Sequence, residues 1–172
     1  GLAADFGSWS IINRGTLTAS GVYDGIATEA VRIQNVTSTA GIRNSGTIIA
    51  SSFEADSVGV RLTGDTNAPE LRAEQDISAT VTGDGDATAL LIDSTVTLPV
   101  VINDSTQSTL SARADGGDAV VVRDLSGTVT SFTNSGVLQA SQNTDDGDDA
   151  GATIARDFSV NTSGSSILNT VP

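Results

Sequence analysis

One segment of this chain keeps returning at a fixed interval, and that restricts the fold more than any other feature. It reads IINRGTLTAS from Ile11, IRNSGTIIAS from Ile42, LRAEQDISAT from Leu71, INDSTQSTLSA from Ile102, FTNSGVLQAS from Phe132 and ILNT from Ile167, with lead residues 31, 29, 31, 30 and 35 apart. A second segment follows each full copy: AVRI from Ala30, GVRL from Gly59, ALLI from Ala89, AVVV from Ala119 and GATI from Gly151. Two segments that keep one period point to stacked coils rather than to a sandwich of unrelated strands.

Within the first segment, Ile42, Asn44, Gly46, Ile48 and Ala50 are two apart and share one face of an extended chain, while Arg43, Ser45, Thr47 and Ile49 take the other. The first face is assigned to the interior. In the second segment the same alternation sends Val31 and Ile33, Val60 and Leu62, Leu90 and Ile92, and Val120 and Val122 inward. One such unit cannot bury its apolar face alone. Stacking coils about 4.8 Å apart does so, giving a body of about 24 Å for five coils. Parallel pairing between successive coils needs a crossover, whose preferred hand is right. The expected fold is therefore an all-β, right-handed parallel β-helix. Residues 1–10 are expected to form a partial coil or cap, 11–166 five repeats, and 167–172 the start of a sixth within a longer protein.

Composition agrees. Aromatic residues make up 3% of the chain, too few for a bulky core, whereas 18 Gly and only 3 Pro suit short strands joined by tight turns. A formal charge of −13 argues against a nucleic-acid partner. No apolar run approaches the roughly 20 residues of a membrane-spanning helix, so membrane insertion by this segment is not expected.

Asn13, Asn44, Asn134 and Asn169 occupy one inward register, with Ala73 and Asp104 in the other two copies. An inward amide must be satisfied, and a ladder of stacked amides does this. Copy four departs from the pattern: Thr106 stands where other copies have Gly15, Gly46 and Gly136, and its apolar residue moves to Leu110. An irregularity near Ser108 follows.

The motifs INRGTLTAS and IRNSGTIIAS, each followed after an acidic loop by AVRI or GVRL, resemble the passenger regions of bacterial autotransporters (type V secretion). The resemblance runs from about Ser10 to Pro172. It implies a β-helical stalk displayed outside the outer membrane and attached through a barrel that this chain does not contain. It also implies an extracellular ligand, a glycan or a protein, and supplies no catalytic residues.

With no His, Cys or Lys in the chain, imidazole-based triads, thiol nucleophiles and lysine bases are excluded. No cofactor is expected, and carboxylates, Arg and hydroxyls remain as the available chemistry. The expected role is that of a non-catalytic scaffold, with a polysaccharide-active β-helix using its acidic loops as the alternative. Those loops carry Asp24; Glu54 and Asp56; Asp84 and Asp86; Asp115 and Asp118; and Asp145, Asp146, Asp148 and Asp149. Stacked on one edge, they should repel one another unless they splay into water or bind a hard cation. The last four residues form the candidate Ca²⁺ site. Arg32 and Arg61 share one outward column and Arg43 and Arg72 another, either as surface ion pairs or as an anionic-glycan contact. Leu91 and Val121 extend the first column as a small apolar patch. The open ends of such a stack also predict end-to-end self-association.

Overall fold

The computed structural model describes residues 9–142, 152–157 and 166–169, and these form a parallel β-solenoid with three strands to a coil. The first coil runs through β1 (Trp9–Asn13), β2 (Leu17–Ser20) and β3 (Thr28–Gln34). The second uses β4 (Gly41–Asn44), β5 (Ile48–Phe53) and β6 (Ser57–Thr63), and the third β7 (Glu70–Ala73), β8 (Ile77–Thr82) and β9 (Ala87–Ile92). The fourth has β10 (Val100–Asn103), β11 (Thr109–Ala114) and β12 (Ala119–Asp124). Beyond it lie β13 (Ser131–Asn134), β14 (Val137–Gln142), β15 (Thr153–Asp157) and β16 (Ser166–Asn169).

Each strand pairs in parallel with its counterpart one coil away. Sheet A therefore stacks β1-β4-β7-β10-β13-β16, sheet B β2-β5-β8-β11-β14 and sheet C β3-β6-β9-β12-β15. The recurring first segment is thus two strands joined by a bend at Asn44–Ile48, not one continuous strand. Its inward set still holds, because the bend preserves the alternation: Ile42, Asn44, Gly46, Ile48 and Ala50 are all buried.

The interior consists of ladders. Ile11, Ile42, Leu71, Val101 and Phe132 form one, and Leu17, Ile48, Ile77, Leu110 and Leu138 another. A third is Ala in every coil: Ala19, Ala50, Ala79, Ala112 and Ala140. Gly59 shows how tightly sheets B and C meet. A Cβ there would lie 2.6 Å from the Ala89 carbonyl oxygen and 2.8 Å from Ile77 Cγ2, so no larger residue fits without displacement. The connections from sheet C back to sheet A bury Thr66, Ala68, Val96, Leu98 and Val129, and Thr37, Asn67 and Thr97 bridge them in parallel. These short pieces add a further buried side that the two recurring segments do not announce.

Coil four corrects two sequence assignments. Val101, not Ile102, pairs with Leu71 and Phe132, and Asn103, not Asp104, pairs with Ala73 and Asn134. The cause is a longer turn: Asn44 and Ile48 are four positions apart in the equivalent bend, but Asn103 and Leu110 are seven apart. The irregularity expected near Ser108 is this insertion, closed by a 2.9 Å bond from Ser108 N to Ser105 O. In sheet C, Leu90 pairs with Val122 and Leu91 with Arg123, so Val121 belongs to the core rather than the surface. Val120 pairs with Thr88 and is buried outside that core cluster. The run AVVV is apolar throughout and therefore carried no alternation with which to fix its register.

Candidate functional site

The inward Asn positions form an interrupted ladder. Asn13 Nδ2 donates to Asn44 Oδ1 at 2.8 Å, and Asn103 Nδ2 donates to Asn134 Oδ1 at 2.7 Å. The remaining amides close on backbone: Asn44 Nδ2 on the Gln75 carbonyl at 3.2 Å, and Asn134 Nδ2 on that of Gly136 at 2.9 Å. Asn169 pairs with Asn134 in register. Asp104 lies outside the ladder, exposed, and binds Arg72 Nη1 at 2.6 Å. Beneath Asn103 the ladder meets Ala73, and the buried Asn103 Oδ1 has no hydrogen-bond partner.

On the outer face of sheet C, Glu29 receives Arg32 through two bonds, Nε to Oε2 at 2.5 Å and Nη2 to Oε1 at 2.8 Å. Arg61, one coil up, reaches back to Glu29 Oε1 at 2.9 Å and forward to Asp93 Oδ2 at 2.9 Å. The chain of contacts Arg32–Glu29–Arg61–Asp93 therefore crosses three coils. The hydrogen bond from Arg32 holds the Glu29 carboxyl below its ordinary range; partial burial opposes this, and Arg61 adds to the lowering. Both guanidinium groups are correspondingly held in their charged form.

Sheet A carries a second chain of contacts. Arg43 and Arg72 lie 5.9 and 5.6 Å from the ring centre of Trp9, within cation–π range. Arg43 pairs with Glu74 at 2.8 Å, and Arg72 pairs with Glu70 at 3.1 Å. Burial pushes the Glu74 carboxyl up, but hydrogen bonds from Arg43 and Ser45 outweigh it and the net shift is downward. The two Arg columns seen in the sequence are thus columns of cross-coil ion pairs. The first continues through Leu91 to Arg123, which lies 3.5 Å from Asp118, so the proposed Leu91–Val121 patch does not exist.

The acidic turns do stack along one edge, and their carboxylates find backbone partners. Asp56 Oδ1 accepts from Asp86 N at 3.0 Å, Asp86 Oδ1 from Asp118 N at 2.8 Å, and Asp118 Oδ1 from Ala152 N at 2.7 Å. Glu54 Oε2 accepts from Asp84 N at 3.1 Å in the same way. Each of these four carboxylates thus faces an amide of the next coil, which offsets part of the repulsion among them. Gly85 at φ +134 and Gly117 leave room for this, since a Cβ on Gly117 would stand 2.2 Å from the Gly85 carbonyl oxygen. The carboxylates were weighed only against one another in the sequence, so this ladder was missed, although the Asp directly before β6, β9 and β12 repeats visibly.

No cluster of three metal-ligating side chains occurs among the described residues, and Asp145, Asp146, Asp148 and Asp149 lie outside them. Comparison with family models, curated proteins and solved structures finds no match to this chain. What can be said of chemistry therefore rests on the arrangement itself. Among the described residues the outward Arg and acidic groups cross-link coils instead of converging on a cleft. An apolar cavity of about 270 Å³ is lined by residues of the first three coils, including Ile11, Leu17, Val31, Ile42, Ile48 and Leu71. It holds no pair of carboxylates.

Proposed function

We propose that this chain is a non-catalytic structural scaffold, a solenoid stalk of a bacterial cell-surface or secreted protein of the autotransporter type, holding loops out toward an extracellular glycan or protein. The observation that carries this reading is how the polar side chains are used. Arg43, Arg61 and Arg72 tie one coil to the next, and Asp56, Asp86 and Asp118 accept from the backbone of the following coil. Charged groups engaged in this way stiffen a rod; a glycosidase needs two carboxyl groups facing one bond.

The test is a trypsin challenge beside a glycan screen. A scaffold exposed to secreted proteases should resist trypsin at its Arg sites between Arg32 and Arg123, and should release no product from neutral or acidic polysaccharides. Rapid cleavage within the coils, or turnover abolished by Asp145→Asn or Asp146→Asn, would overturn the reading in favour of a labile or a polysaccharide-active protein.

A further inference from the structure

The ladders of the solenoid change character together, at the junction between coils three and four. In sheet C, Ile33, Leu62 and Ile92 continue one another inward, but the next residue in register is Asp124, only 1% exposed. Its carboxylate takes donors from its own turn: Ser126 N at 2.9 Å and Ser126 Oγ at 2.6 Å on Oδ1, and Val129 N at 3.3 Å on Oδ2. Ile92, beneath it, offers none. In sheet A the Asn ladder fails at the same level. Asn44 Nδ2 reaches the Gln75 carbonyl of coil three, whereas the buried Asn103 Oδ1 meets Ala73 and has no partner. In the connections from sheet C back to sheet A, parallel bridges join Thr37 to Asn67 and Asn67 to Thr97, and among the described residues they stop there. A side chain takes over: the Thr128 hydroxyl accepts from Leu98 N at 2.9 Å and donates to the Val96 carbonyl at 3.2 Å. On the outer face of sheet C, the ion-pair chain from Arg32 reaches Asp93 of coil three; Leu91 then follows Arg61 in register, and Arg123 beyond it lies beside Asp118 of its own coil.

Other contacts do cross this junction. Arg72 meets Asp104 at 2.6 Å, Asp86 Oδ1 accepts from Asp118 N at 2.8 Å, Asp76 Oδ1 accepts from Thr109 N at 2.8 Å, and the apolar ladders of sheets A and B run through it. The charged groups among them lie toward water and hold the two coils from outside. The buried polar groups act the other way. A carboxylate set against an apolar neighbour and a carbonyl oxygen without a donor both gain hydration when coil four leaves coil three. Separating coils two and three would instead wet Leu62 and Ile92 and break the inward bond from Asn44 to Gln75. In a stack whose stability is a sum of coil terms and nearest-neighbour terms, partial opening takes place at the least favourable neighbour term.

We propose that the junction between coils three and four is a seam built into the solenoid, at which coil four and the chain beyond it open while the first three coils stay stacked. Native-state hydrogen exchange over a series of urea concentrations tests this amide by amide. Coil three offers the closest comparison, because its amides point both ways. Ala87 N donates across the seam to the Asp118 carbonyl at 2.8 Å, whereas Glu74 N and Asp93 N donate back to Asn44 and Leu62 of coil two at 2.8 and 3.0 Å. Ala87 should exchange with the strand amides of coil four through one common opening, about tenfold or more faster than Glu74, Asp93 and the strands of coil two, and with a smaller urea dependence. Trypsin, added at urea concentrations below the main transition, gives a second readout. It should cut at Arg113 and Arg123 of coil four while Arg43, Arg61 and Arg72 stay protected, leaving one fragment that holds coils one to three. Exchange of all these amides through a single opening, Asp93 opening together with coil four, a step between coils two and three instead, or cleavage at Arg61 as fast as at Arg123 would each overturn the proposal.

Discussion

Asn103 is fully buried, and while its Nδ2 is well placed against Asn134, its Oδ1 faces a coil that offers Ala73 instead of another amide. A buried acceptor without a partner costs about 1–3 kcal/mol. The backbone around Ala73 runs in register between Asn44 and Asn103, both of which hold the Asn conformation, so an Asn at this position should join two broken ladders into one. Ala73→Asn is therefore expected to stabilise the protein by about 1 kcal/mol, seen as an upward shift in the urea midpoint with an unchanged slope. A fall in the midpoint would mean that the fully buried Ala73 site is too close-packed to admit the amide, and that the volume of the interior rather than its hydrogen bonding set the residue there.

At the scale of the strand and its turn, the fold was legible wherever polar and apolar residues alternate and ambiguous where they do not. In copies one to three the inward residues read from spacing two are the inward residues of the structure, because Arg43, Arg61 and Arg72 mark the outer face unmistakably. In copy four the tetrapeptide AVVV has no such mark, and Asn103 and Asp104 are adjacent candidates for one ladder position. Only the length of the following turn distinguishes them, through the seven-position step to Leu110. The Asp ladder was half legible, since its positions repeat but its partners are backbone amides that no side-chain pattern reveals. That ladder makes its own prediction. Asp86 accepts from Asp118 N while its own N–H donates to Asp56, so Asp86→Ala should cost about 1–2 kcal/mol and lower the melting temperature by several degrees. Asp86→Asn keeps an acceptor oxygen in place and removes one of the stacked charges, and it should stay within about 0.5 kcal/mol of the parent. If the two variants melted together, the carboxylates would contribute only charge and the backbone bonds nothing.

Over the whole molecule, two opposing electrostatic effects meet, and pH separates them. The net charge of −13 is a diffuse repulsion that salt screens and that protonation of ordinary surface carboxylates relieves. The Arg–Glu contacts act the other way, because each depends on a carboxylate remaining ionised. Glu29 and Glu74 are both held below the ordinary carboxylate range when folded, so between their folded and unfolded values the unfolded chain binds more protons. Their contribution is complete above the unfolded value of about 4.5 and is lost as pH falls through the folded values. Stability should therefore change little from neutral pH down to about 4.5 and decline below it. Glu29 joins Arg32 to Arg61 with its side chain only 21% exposed. Glu29→Gln should accordingly lower stability at pH 7 by about 1 kcal/mol while leaving less to lose at pH 3, so that the two unfolding curves converge in acid. Chemical denaturation of both proteins at pH 7, 5, 4 and 3, at fixed ionic strength, measures this directly. A constant gap across the series would show that Glu29 acts through packing alone, and no gap at any pH would show that the column from Arg32 to Asp93 adds nothing to the cohesion of the coils.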